Sequence, residues 1–79
     1  MMREKLFTLR VVKLKLSQEK MGEKLGYSRN HYANIENGTH GVTLKFLNAL
    51  CNAFGMSLKE AEELTQIEEQ SKKNDGETG

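Results

Sequence analysis

The conspicuous candidates for metal binding or nucleophilic chemistry in this 79-residue chain are two histidines and one cysteine: His31, His40 and Cys51. The histidines stand nine positions apart with no acidic or thiol partner at ligand spacing, so they read as surface residues and no metal site is expected. Cys51 falls on an apolar pattern with Leu47, Leu50 and Phe54, and reads as a small core side chain. Paired carboxylates, a nucleophile with a base at readable spacing and a phosphate-binding glycine loop are all missing. Neither an enzyme nor a cofactor or small-molecule ligand is expected. What the chain does carry in number is basic and amide side chains. Such side chains present hydrogen-bonding groups side by side, which is the chemistry of recognition rather than of bond making.

Charge is distributed unevenly along the chain. Residues 1–60 hold ten Lys/Arg against five Asp/Glu, a net +5, whereas residues 61–79 hold two Lys against six acids, a net −4. A basic body with an acidic end suits a polyanionic partner, although charge by itself would equally describe a solvated surface. No apolar run approaches the ~18 residues of a membrane span. Met1 to Leu16 is interrupted by Arg3, Glu4, Lys5, Arg10, Lys13 and Lys15, unlike a signal peptide. With a single cysteine as well, the expectation is a soluble cytoplasmic protein without a membrane partner.

The elements that must position these residues are short helices. Leu6, Leu9 and Val12 or Lys13 follow i, i+3 spacing, which predicts a first helix over about Met2 to Lys15. Ser17 caps a second helix, Gln18 to Leu25, stopped by Gly26; Ser28 caps a third, Arg29 to Asn37, with Gly38 beyond it. Thr43 opens a fourth, in which Leu44, Leu47, Leu50, Cys51 and Phe54 recur at helical spacing before Gly55. Ser57 and Glu60 form a capping box for a fifth, with Leu58, Ala61, Leu64 and Ile67 as a narrow apolar stripe. No segment alternates with period two, so the fold expected is all-α, a bundle of four to five helices. From about Ser71 the run SKKNDGETG has no apolar anchor and reads as a disordered polar tail, leaving residues 1–70 as one domain.

Residues 17–38, SQEKMGEKLGYSRNHYANIENG, resemble the helix-turn-helix of the Cro and phage-repressor (XRE-like) family. That pattern runs approximately S/T-Q-x-x-apolar-small-x-x-apolar-G-apolar-S and closes with I-E-x-G. Gly22 takes the small-residue site where two helices approach closely, and Gly26 supplies the positive φ of the turn. Met21, Leu25 and Ile35 face the core. The likeness continues through TLKFLNALCNAFGMSLKEA and covers about residues 4–64. It implies a lambda-repressor-like fold that reads double-stranded DNA, with its helix-turn-helix at about 17–37.

Carried over position by position, the resemblance implies that Arg29, Asn30, Ala33 and Asn34 face base edges in the major groove. The types suit that role, since an arginine fork can bond guanine O6 and N7, an asparagine amide can bond adenine N6 and N7, and a methyl can touch thymine. Gln18, Asn37, Thr39, His40 and Lys45 are placed to bond phosphate, and Tyr27 packs at the turn. The family often pairs an arginine of helix one with the glutamate of I-E-x-G, here Arg10 and Glu36. A homodimer is expected, with Leu58, Leu64 and Ile67 as candidates for its surface.

Two departures stand out. Tyr32 replaces the usual Val or Ile, so its ring must fill space inside or turn its hydroxyl outward. Five residues, VVKLK, separate Arg10 from Leu16 where four are common and a glycine is frequent, so helix one must run longer or bulge. The function implied is a sequence-specific transcriptional regulator, repressor-like. An antitoxin or a restriction-modification controller would share the fold, and a protein-interaction or coactivator module would keep it without binding DNA.

Overall fold

Four side-chain hydroxyls set the starts of four helices. In the computed structural model, which describes residues 2–67, Ser17, Ser28, Thr43 and Ser57 each accept a hydrogen bond from the backbone N–H three residues on, at 3.1, 3.1, 3.2 and 3.1 Å. The helices they open are α2 (Gln18–Leu25), α3 (Arg29–Glu36), α4 (Leu44–Phe54) and α5 (Leu58–Leu64). At α5 the Glu60 carboxylate also accepts from the Ser57 N–H at 2.8 Å, completing the capping box. Left-handed glycines end α2 at Gly26 (φ 84°) and α4 at Gly55 (φ 66°), and Gly38 (φ 88°) follows α3. No strand occurs among the described residues, and the expected tail from Ser71 lies outside them.

The first helix departs from its expected form. Helix α1 begins at Glu4 rather than Met2 and spans Glu4–Thr8, then passes into a π-helical segment, Leu9–Leu14. The wider turn absorbs the extra residue between Arg10 and Leu16 without losing the inward direction of Leu6 and Arg10. It also shifts the helical phase of the segment, so that Val12, expected on the apolar stripe, is 58% exposed. The segment closes at Lys15, whose left-handed φ of 55° stands where glycine would be unstrained.

One core unites the elements: Leu6 from α1, Met21 and Leu25 from α2, Tyr32 and Ile35 from α3, Phe46 and Leu50 from α4, and Ala61 from α5. Each large side chain hidden here contributes about 1.5–3 kcal/mol relative to exposure. In α4 the buried face is centred on Phe46 and Leu50, with Leu47, Cys51 and Phe54 partly buried against it. Leu44, expected on that face, is 62% exposed, because it stands two positions before the buried Phe46 and so on the opposite side of the helix. Gly22 is where α2 meets the turn into α3: a Cβ there would sit 2.6 Å from the Tyr27 carbonyl oxygen. Only glycine permits that approach without moving backbone.

Candidate nucleic-acid interface

Helix α3 has two unlike faces. Tyr32, Ile35 and Glu36 point into the protein and are buried, while Arg29 and Asn30 are exposed and Ala33 and Asn34 are half-buried. The amphipathic split comes from the one-turn and half-turn spacings in RNHYANIE. The four side chains expected to read bases thus lie along one short helix, away from its core stripe.

The back of that helix is held by charge. Glu36 is 2% exposed and its carboxylate is fully engaged. Arg10 donates to it twice, Nε to Oε2 at 2.8 Å and Nη2 to Oε1 at 3.0 Å; the Tyr32 hydroxyl donates to Oε2 at 2.8 Å, and the Gln18 amide to Oε1 at 3.1 Å. Arg10 also donates from Nη1 to the Leu16 carbonyl at 2.8 Å, tying the end of the π-helical segment into the same network. Burial by itself would raise the Glu36 pKa, but the donors from Arg10, Tyr32 and Gln18 outweigh it and hold the carboxyl below its ordinary range. The same hydrogen bond to Glu36 raises Arg10, and burial followed by the Glu36 charge raises the Tyr32 phenol. Tyr32 therefore takes the first of the two courses open to it in sequence: its ring fills the core, and its hydroxyl, turned inward rather than out, completes the ion pair.

Arg3 was not among the sequence candidates, and it matters. It is 6% exposed and donates to three carbonyls: Thr65 at 2.6 Å, Ile35 at 2.5 Å and His40 at 3.1 Å. Its own N–H donates to the Glu36 carbonyl at 2.7 Å. One guanidinium thus pins the C-terminal ends of α3 and α5 and the loop after α3, satisfying carbonyls that a helix end leaves open. Burial lowers its pKa from the ordinary arginine value. A lone arginine ahead of the first helix carries no sequence signal for such a role.

The remaining candidates surround α3. Gln18, expected at a phosphate, stands at the start of α2 with its amide already on Glu36, which fixes its orientation. Asn37 accepts the Thr39 N–H on Oδ1 at 2.9 Å, shaping the turn that carries Thr39 and His40 outward. The His40 N–H donates to the Asn34 carbonyl at 3.0 Å. Lys45 is exposed, its Nζ 6.0 Å from the centre of the Tyr27 ring. Of the apolar candidates on and after α5, Leu58 is 44% exposed; Leu64 is half-buried beside Leu9 and Lys13 along a surface groove, and Ile67 is half-buried beyond the helix end. Among the described residues no group of three or more His, Cys, Asp or Glu side chains could hold a metal ion, and no helix is long and apolar enough to cross a membrane.

Comparison with known proteins agrees with this architecture. The helix-turn-helix family model matches residues 6–61. The chain is 38% identical over 56 residues to control protein C.MunI of Mycoplasma sp, an alignment that covers 71% of this chain and 76% of that protein. No solved structure gives a significant match. An all-helical fold, a Ser-capped helix set across a glycine turn from its neighbour, and a family match over most of the chain lead to one assignment. The chain belongs to the Cro/C1-type helix-turn-helix family and is a DNA-binding transcriptional regulator.

Proposed function

We propose that this regulator reads an operator half-site in the major groove through α3, with Arg29, Asn30, Ala33 and Asn34 toward the bases. The observation that carries the reading is the division of α3, whose outward side holds guanidinium and amide groups while its inward side is locked by the Arg10–Glu36–Tyr32–Gln18 network. A rigid back is what paired hydrogen bonds to base edges require, because their geometry tolerates little wobble. Gln18, Asn37, Thr39, His40 and Lys45 border the same helix and serve as phosphate contacts that set register without reading sequence.

The protein acts as a homodimer, on a two-fold-related operator with half-sites about one helical turn, ~34 Å, apart. Leu58, exposed on α5, together with the half-buried Leu64 and Ile67, forms the subunit contact. Selection from random duplexes with sequencing of the bound pool tests the reading. An enriched, two-fold-related site supports it; retention of all duplexes alike would contradict it and point to the alternative of a protein-interaction module.

A second reading concerns biological setting rather than chemistry. The likeness to a protein named as a control protein favours a controller of a restriction-modification operon over an antitoxin or a phage repressor. The discriminating observation is the neighbouring gene, which on this reading encodes an endonuclease or a methyltransferase.

A further inference from the structure

Two imidazoles that stand apart in sequence meet on one flank of α3. His31 lies in the first turn of the helix and His40 in the loop after it, with ring centroids 5.4 Å apart and planes inclined at 58°. The Tyr27 ring meets His31 edge-on at 4.8 Å, and both histidines are exposed. This approach is held rather than incidental. The His40 N–H bonds the Asn34 carbonyl at 3.0 Å, while the His40 carbonyl accepts from Arg3 at 3.1 Å.

The position of the pair suggests its partner. With about 3.6 residues per turn, Asn30 and Asn34 lie opposite the buried stripe of Tyr32, Ile35 and Glu36. Arg29 and Ala33 border that outward side on one flank and His31 on the other. A duplex seated on the outward side and toward the Arg29 flank passes a sugar-phosphate backbone along the His31 flank.

We propose that His31 and His40 act together as a protonated clamp for a DNA phosphate, so that operator binding takes up protons and strengthens as pH falls from 8 to 6. The inference rests on the operator reading proposed above. An imidazole is the side chain whose charge changes in that interval. Each takes a proton from solvent onto a ring nitrogen and becomes a cation, and the phosphate keeps its own charge throughout. A phosphate bridging the two rings, 5.4 Å apart, favours the charged form of both. The bound state thus holds more protons than the free state, so affinity rises as pH falls and levels off once both rings are protonated without DNA.

Tyr27 faces His31 from the turn, Lys45 approaches the Tyr27 ring from α4 at 6.0 Å, and Arg3 bonds the His40 carbonyl. Among the described residues neither imidazole is ion-paired with a carboxylate. No acid there competes with a phosphate for the charged pair.

The test measures affinity for the selected operator at pH 6 and pH 8, with chelator present throughout, and counts protons by calorimetry in buffers of different ionisation enthalpy. The wild type is expected to bind roughly tenfold or more tightly at pH 6 with net proton uptake. His31→Gln with His40→Gln should remove most of that dependence while leaving the thermal midpoint nearly unchanged. His40→Lys keeps a cation at every pH, so it should bind at pH 8 more tightly than the wild type while taking up fewer protons. An operator bound equally well by the wild type at both pH values, or a double variant with undiminished proton uptake, would overturn this inference alone. Failure to enrich any operator at either pH would overturn the parent reading and this inference with it.

Discussion

Glu36 shows how a single residue can fasten a helix proposed to read DNA. Its carboxylate accepts four hydrogen bonds from three side chains on three segments, and α3 is held at its C-terminal end by that convergence. Glu36→Gln or Arg10→Ala leaves the other partner buried without its counter-charge, and each is expected to destabilise the fold by about 3–5 kcal/mol, measured by urea denaturation. Tyr32→Phe keeps the ring and removes one donor to a charged acceptor, at a cost of about 2 kcal/mol. The pH dependence has two signs. Because the folded pKa of Glu36 is depressed, its contribution is complete above the ordinary carboxylate range, near pH 4.3, and is lost as pH falls through the folded value. Because the Tyr32 phenol is raised, its contribution is complete below about pH 10 and is lost as pH climbs toward the folded value. Urea midpoints measured across the pH range should therefore decline at both ends, and Glu36→Gln should flatten the acid side. Arg10 and Glu36 could be paired from the sequence because a family pattern names both positions. Arg3 could not, since its partners are backbone carbonyls, which every residue possesses and no pattern marks.

At the scale of elements, caps and glycines proved the more legible signals. Helices α2 and α5 begin where hydroxyl residues and the capping box place them, because such side chains satisfy amides that a helix start leaves open. Spacing was less informative where pitch changes. The stripe drawn through Leu6, Leu9 and Val12 assumes a regular helix, and the π-helical segment turns Val12 outward. The extra residue showed that something had to give in helix one; whether it lengthened or bulged depended on Arg10 staying aimed at Glu36, a tertiary constraint. Likewise Leu44 and Phe46 are both apolar and near one helix end, and only the position of Tyr32 and Tyr27 makes Phe46 the buried one, with ring centroids 6.4 and 5.4 Å away. Two substitutions examine this level. Lys15→Gly relieves the left-handed backbone and is expected to stabilise by about 1 kcal/mol, raising the thermal midpoint by about 4–8 °C for a domain of this size. Gly22→Ala drives a methyl against the Tyr27 carbonyl and is expected to destabilise by about 2 kcal/mol, seen as a lower midpoint in the same experiment.

The molecule as a whole joins a well-fastened helix, proposed to read DNA, to a proposed second copy of itself. One domain presents a single short α3, and high affinity for a two-fold-related site depends on two such helices engaging together. Leu58 is already exposed in the protomer, so Leu58→Asp should leave the fold intact, shift sedimentation toward monomer and weaken operator binding by about tenfold or more. The residues proposed to read bases were marked by the motif rather than by their own types, since arginine and asparagine on any solvent-facing helix look the same. The histidine pair was not legible, because their separation in sequence conceals a contact that α3 and the loop after it create. The most direct measurement of the central claim compares the wild type with an Arg29→Ala, Asn34→Ala double variant on the selected operator and on a scrambled duplex, at two salt concentrations. Loss of two bidentate contacts of about 1–3 kcal/mol each should cut operator affinity by on the order of a hundredfold or more, while weak, salt-dependent binding to the scrambled duplex persists. A double variant that still prefers its operator as strongly as the wild type does would show that sequence is read by some other part of the protein.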